Sequence, residues 1–195
     1  MQLRELMELN RTRRKFDQSQ PIDVGTLEAL VELTRFMPSG MNKQPLKYIV
    51  TTEPDQCDAI FPLLGWAGYL PDWKGPDKGE QPTGYIIMML DTAIADSPGC
   101  DHGIACQSIM LGAVEQGLGG CIIATVNRKK LARIFDLDDR FEILMVLALG
   151  VPAQEVVIEP LPSDGDIKYW SGENGRHHVP KRSLDELLIG RFPAK

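Results

Sequence analysis

At 195 residues, with 43% hydrophobic and 25% charged positions, the chain is long enough to bury the core of one domain spanning 1–195, and disorder over most of its length is excluded. Its 27 acidic against 21 basic residues leave a net charge of -6, which argues against binding nucleic acid through a broad basic face. No apolar run approaches the ~20 residues that cross a bilayer, and Arg4, Glu5 and Glu8 stand where a signal peptide would be apolar, so no membrane association and a cytoplasmic address are expected.

Leu3, Leu6, Met7 and Asn10 follow helical spacing, so a first helix is expected to end near Arg11, Thr12, Arg13 and Arg14, with Phe16 as an anchor beyond it. This is a dense cationic knot on an acidic chain, and a second basic pair, Lys181 and Arg182, stands near the other end. Guanidinium forks suit phosphate oxygens, and the Thr12 hydroxyl adds a neutral donor beside them. A solvated helix C-terminus, where cations are favoured by the macrodipole, is the competing reading of the knot taken alone. Asp23 predicts the N-cap of a second helix with the stripe Leu27, Leu30, Val31 and Thr34, ending before Pro38. The loop Pro38, Ser39, Gly40, Met41, Asn42, Lys43, Gln44, Pro45 follows. Two prolines stiffen it, Gly40 permits unusual dihedrals, and Ser39, Asn42 and Gln44 offer donors and acceptors to a planar polar ligand; the alternative is an ordinary connecting turn.

Residues 47–52 read as a strand, and 54–64 as a short helix with Pro54 in its first turn. The stretch 65–83 is irregular and holds Trp66, Tyr69 and Trp73 among glycines and prolines, Pro71 included; a lid or pocket wall is one reading, and a flap packed on the core is the other. Residues 85–90 form a continuous apolar run, expected to be a strand buried on both faces. Asp101 predicts the cap of a helix through Ile104, Met110, Leu111, Val114 and Leu118, in which Gly103 and Gly112 permit close approach of another helix, including one from a symmetric partner. Gly119 and Gly120 are expected to stop this helix. A strand over 121–125, a helix over 128–135 capped by Asn127 and a strand over 142–151 come next, with a further β-like run at 156–158 and an amphipathic turn at 183–189.

Obvious motifs are missing. The run Gly117, Leu118, Gly119, Gly120 closes a helix and opens a strand, the reverse of the order that the dinucleotide fingerprint needs, and no Walker-type loop is present. Phosphate binding must therefore rest on side chains. His102, His177 and His178 lack the spacing of a helical two-histidine zinc motif, so no metal site is expected. Cys57, Cys100, Cys106 and Cys121 show no paired spacing and read as buried reduced thiols. No serine sits in a nucleophile elbow, so an enzyme of this sequence would draw its chemistry from a cofactor.

The run Arg11 to Phe16, the loop Pro38 to Pro45, the segment Gly117 to Asn127 and the terminal Val179, Pro180, Lys181, Arg182 together resemble the nitroreductase family of FMN flavoproteins. The resemblance covers nearly the whole chain and implies an α+β, nitroreductase-like fold, a central mostly antiparallel sheet flanked by helices, in a homodimer with FMN at the interface. By it, Arg11, Thr12 and Arg14 would hold the FMN phosphate and ribityl region, and Lys181 or Arg182 would complete the charge. Pro38, Ser39, Gly40 and Asn42 would lie against the flavin of the neighbouring subunit, while Ile123, Ala124 and Thr125 would bring backbone amides to its N5 and O4 edge. NAD(P)H would be the co-substrate, and an electron-poor small molecule such as a nitroaromatic or quinone the acceptor, in a ping-pong exchange. Flavin N5 would carry the chemistry with no catalytic side chain, and Trp66, Tyr69 and Trp73 are candidate pocket walls. The resemblance also admits a flavin-binding or redox-sensing protein without turnover, and related flavin chemistry of another kind. Asn10 stands where many relatives carry a basic residue, and Leu46 where an aromatic often follows the loop.

Overall fold

The computed structural model describes residues 1–70, 72–172 and 175–193; Pro71, part of the predicted aromatic loop, lies outside them. Four strands, β1 (Leu46–Thr51), β2 (Gly84–Asp91), β3 (Gly119–Ile123) and β4 (Phe141–Gly150), form a sheet in the order β1-β2-β4-β3 with every neighbour antiparallel. Because strand side chains alternate between faces, Ile86 and Met88 of β2 enter one apolar cluster while Tyr85, Ile87 and Met89 enter another. The run reads as continuously apolar in sequence because both faces of the sheet are covered, and all eight residues of β2 are buried.

On one face lie α1 (Leu3–Leu9), α2 (Val24–Glu32) and α4 (Asp101–Glu115), with Leu27, Leu30, Ile109 and Ala113 packed on Ile86 and Leu147. On the other lie α3 (Pro54–Ile60) and α5 (Arg128–Ile134), with Ile60, Trp66 and Leu131 on Ile87 and Val146. A second, smaller sheet follows: β5 (Val156–Pro160), β6 (Trp170–Ser171) and β7 (His177–Lys181), in the order β5-β7-β6 with β5 and β7 parallel. The chain ends near α6 (Leu184–Leu187). No helix of the described residues is long and apolar enough to cross a membrane.

Two of the three predicted helix caps behave as the sequence predicts. The Asp23 carboxylate accepts from the Gly25 N–H at 2.7 Å, and the Asn127 side chain accepts from the Lys130 N–H at 3.2 Å. The α4 boundaries need correction. Cys100 is its N-cap, and Asp101 is its first helical residue, with its carboxylate turned elsewhere. The helix ends at Glu115 because Gly117 adopts φ +75, with its N–H donating to Val114 O at 3.0 Å and the Leu118 N–H to Ala113 O at 2.8 Å, a Schellman closure. Leu118 thus lies past the helix, and Gly119 and Gly120, expected as its stop, are the first residues of β3, which ends at Ile123 rather than Thr125. Gly112 does admit a close neighbour: a side chain there would collide with Leu30 and Leu33 of the same chain.

Candidate functional site

After α1 the chain runs along the outer edge of β3. Thr12 bridges Gly120, the Arg13 N–H donates to Gly120 O at 2.8 Å, and the Phe16 N–H donates to Glu80 O at 2.9 Å. Phe16 is fully buried with its ring against Gly150, so it anchors the cationic knot as the sequence predicts. Each arginine in the knot is then held by a neutral acceptor. Arg11 Nη2 donates to Met7 O at 2.7 Å, Arg13 Nη1 to Gln154 O, and Arg14 Nε to Trp66 O at 2.8 Å. The other Arg14 contacts are neutral too: Nη1 stands 3.4 Å from His177 Nε2, and the guanidinium carbon lies 4.9 Å from the Tyr169 ring centre. Burial lowers the Arg11 and Arg13 pKa values from their ordinary position, and for Arg13 the charge of Arg11 adds to the effect while Glu155 opposes it.

Between Arg11, Thr12, Arg14, Tyr169, His177 and Lys181 opens a cavity of about 220 Å³. Two polar atoms of its lining residues, Arg11 Nε and His177 Nδ1, are buried without a partner among the described residues. An unmet buried donor costs roughly 1–3 kcal/mol, so the cavity favours a ligand that supplies acceptors, and its cations favour an anion. The residues present therefore fit the phosphate end of a mononucleotide such as FMN. Asn10 also lines the cavity. Lys181 comes to it from β7, whereas Arg182 donates to Glu186 at 3.0 Å on the exposed start of α6 and does not line it. The two C-terminal candidates are thus separated by the structure.

His177, Tyr169 and Gln154 were not foreseen. His177 is 2% exposed, and its pKa is lowered to about 4 by burial first, then by Arg14, then by His178. A guanidinium only donates, so His177 Nε2 faces Arg14 as an acceptor. Nothing in the sequence neighbourhood of a histidine pair marks this role; the parallel register Val156↔His177 creates it.

The loop Pro38 to Pro45 is far from this cavity. It precedes β1, and the pairings Leu46↔Leu90 and Gly119↔Gly150 put the starts of β1 and β3 at diagonally opposite corners of the sheet. Its form comes from Asp101, whose carboxylate accepts from the Ser39 hydroxyl at 2.6 Å and the Gly40 N–H at 3.0 Å. The Gln44 N–H donates to Ser39 Oγ at 2.9 Å, and Gln44 Nε2 reaches Asn42. Much of the loop's polar capacity is therefore used internally, while Pro38, Gly40, Met41 and Asn42 stay exposed. Met41, Asn42 and Gln44 all take positive φ, a concentration of backbone strain over a short span.

At the end of β3, Ile123 is buried, while Ala124 and Thr125 just beyond it are exposed. Their carbonyl oxygens are taken, Ala124 O by Arg128 Nη2 at 3.1 Å and Thr125 O by the Gly65 N–H at 2.8 Å. Their amides have no backbone acceptor among the described residues. Of the aromatic candidates, Tyr69 and Trp73 line a cavity of about 360 Å³ that shares Arg14 and His177 with the smaller one. Trp66 does not join them: it is 5% exposed and packs on Phe61 with ring centres 5.2 Å apart. The flap reading holds for Trp66. Of the cysteines, Cys57, Cys106 and Cys121 are buried, with burial pushing Cys57 to about 11 and Cys106 to about 12, while Cys100 is exposed.

An antiparallel sheet with helices on both faces and a cationic cavity at one corner defines the protein as α+β, with the cationic groups of Arg11, Arg14 and Lys181 gathered at that corner. The nitroreductase family model matches residues 10–68 and 91–151, more than half of the chain, and the chain belongs to that family. It is 20% identical over 167 residues to YodC of Bacillus subtilis strain 168, which carries an NAD(P)H nitroreductase name, with 70% of this chain and 83% of that protein covered. A nitroreductase family protein from Clostridium novyi NT has the same fold at a TM-score of 0.63, with 24% identity over 78% of this chain and 87% of that one. A protein from Desulfovibrio desulfuricans, solved in complex with FMN, matches at a TM-score of 0.67 with 21% identity, covering 97% of this chain and 96% of its own.

Proposed function

We propose that the chain is an FMN-dependent oxidoreductase that takes electrons from NAD(P)H and passes them to an electron-poor small molecule, such as a nitroaromatic or quinone, in a ping-pong exchange. The observation that carries this reading is the cavity at Arg11, Arg14 and Lys181, where, among the described residues, these cations form no ion pair with a carboxylate and the buried Arg11 Nε has no acceptor. FMN, when bound, would supply the hydride and electron chemistry that the side chains lack. Arg11, Arg14 and Lys181 hold its phosphate, with Thr12 at the ribityl side. The exposed amides of Ala124 and Thr125, beyond buried Ile123, donate to the polar edge of the ring, where added negative charge needs oriented dipoles. No side chain of this chain is required to move a proton.

A second copy completes the site in this reading. Pro38, Ser39, Gly40 and Asn42 lie at the far corner of the sheet from Arg11, so only a partner's loop can cover the same flavin. Helix α1, next to the cavity, buries none of its residues, and Leu3, Met7 and Leu9 are exposed, a surface that homodimer formation would cover. Tyr69 and Trp73 form the wall against which a planar substrate stacks.

Purified protein should be yellow and should bleach when NADH or NADPH is added without oxygen. Bound flavin that stays coloured would overturn the reductase reading. The double variant Arg11→Ala/Arg14→Ala should lose FMN, since each charge-assisted contact to phosphate contributes about 1.5–3 kcal/mol; unchanged flavin content would overturn the phosphate assignment.

A further inference from the structure

We infer that His177 is a positioning residue for phosphate binding: as a neutral acceptor it holds the Arg14 guanidinium at the cavity without cancelling its charge. The inference rests on the FMN reading above and extends it to a residue outside both stretches matched by the family model.

The geometry of Arg14 carries the argument. Its guanidinium is caged by a carbonyl oxygen (Trp66 O, 2.8 Å), an imidazole nitrogen (His177 Nε2, 3.4 Å) and an aromatic face (Tyr169, 4.9 Å). A carboxylate at any of these places would hold the arginine more tightly, but it would neutralise the charge that a phosphate must meet. Neutral acceptors fix direction and leave the charge available. His177 is itself fixed on several sides. Its backbone N–H donates to Glu155 O at 2.9 Å, its ring lies 5.0 Å from Tyr169, and only 2% of it is exposed.

The neighbouring histidine makes the contrast plain. His178 Nδ1 lies 2.7 Å from Glu159 Oε1 and its ring stacks on Trp170 at 5.1 Å, so it is tied to an acid on the other side of β7. Two adjacent histidines of one strand thus face opposite ways, one toward a carboxylate and one toward an arginine. Burial and the Arg14 charge both keep the second one unprotonated, in keeping with its place as an acceptor.

The test compares FMN with riboflavin, which lacks the phosphate, using quenching of flavin fluorescence by apoprotein. His177→Leu removes the acceptor and is expected to weaken FMN about 10-fold, the equivalent of one hydrogen bond to a charged group, with riboflavin affinity unchanged. His177→Gln, whose amide oxygen can reach the Nε2 position, should restore FMN binding, whereas His177→Asn, polar but too short, should not. Should the leucine variant fail to fold, the glutamine and asparagine pair alone decides. Equal FMN affinity in those two variants, or equal weakening of FMN and riboflavin, overturns the inference and leaves the flavin reading standing. Wild-type protein that binds neither flavin overturns both.

Discussion

At the scale of single residues, an acidic chain keeps Arg11, Arg13 and Arg14 within a few positions of one another; burial lowers the pKa values of Arg11 and Arg13, and the charge of Arg11 adds to the effect on Arg13 alone. The carbonyls of Met7, Gln154 and Trp66 offset part of it by accepting from the guanidinium groups. His177 adds a cost of its own below neutral pH. Its pKa is about 4 in the folded chain against 6.5 for the ordinary side chain, so the unfolded chain binds a proton that the folded one refuses as pH falls between these values. Stability is therefore complete above pH 6.5 and declines through the window down to 4, by up to roughly 3 kcal/mol for the whole shift. Urea unfolding at pH 7.5 and pH 5 should give a larger loss for wild type than for His177→Gln, which has nothing to protonate there. Equal losses would mean that His177 is not the group responsible.

Among the elements, the loop before β1 and the start of α4 act as one unit through Asp101. The carboxylate is 5% exposed, accepts from the Ser39 hydroxyl and the Gly40 N–H, and sits in the first turn of α4, where negative charge is favoured. Asp101→Ala leaves both donors without their acceptor and should cost about 2–3 kcal/mol, read as a lower urea midpoint with an unchanged slope; a midpoint shift under 0.5 kcal/mol equivalent would show the loop to be held by its own contacts. The sequence offered Asp101 as a cap because an acid before an apolar stripe has that meaning by default; only the tertiary fold shows the carboxylate spent on the loop. The same limit explains the Gly117 stop, since a pair of glycines two residues later is the stronger local signal. Where the apolar pattern is strong, sequence and structure agree: the continuous apolar run gives β2, the helical stripe of Leu27 and Leu30 gives α2, and Phe16 is buried as the anchor. The Arg11–Arg14 knot was legible as a charge anomaly and Lys181 as its partner by resemblance, but His177 reaches it on β7, whose His-His-Val-Pro-Lys run has no strand period to read, and Tyr169 reaches it from just before β6.

For the molecule as a whole, the decisive question is whether one flavin site draws on one chain or two. Within a single chain, α4 alone, at about 1.5 Å per residue, spans some 22 Å between the Asp101 end that holds the loop and the Gly117 turn that leads to β3 and the arginines. If Arg11 holds the phosphate as proposed, this separation sets Ser39 and Asn42 of the same copy at the other end of α4 from it. In the proposed homodimer, two copies related by a twofold axis would resolve this, each loop covering the other's flavin. The consequence is complementation. Arg14→Ala damages the phosphate half of a site, and Asp101→Ala damages the loop half. In a mixed dimer of the two, one site receives both defects and the other receives neither. Co-expression with two different affinity tags, followed by sequential purification, should therefore yield a heterodimer with one tight FMN per dimer, while each variant homodimer binds weakly at both sites. If every site were built within one chain, each site of the mixed dimer would keep one defect, and a titration that finds no tight fraction would exclude the shared arrangement.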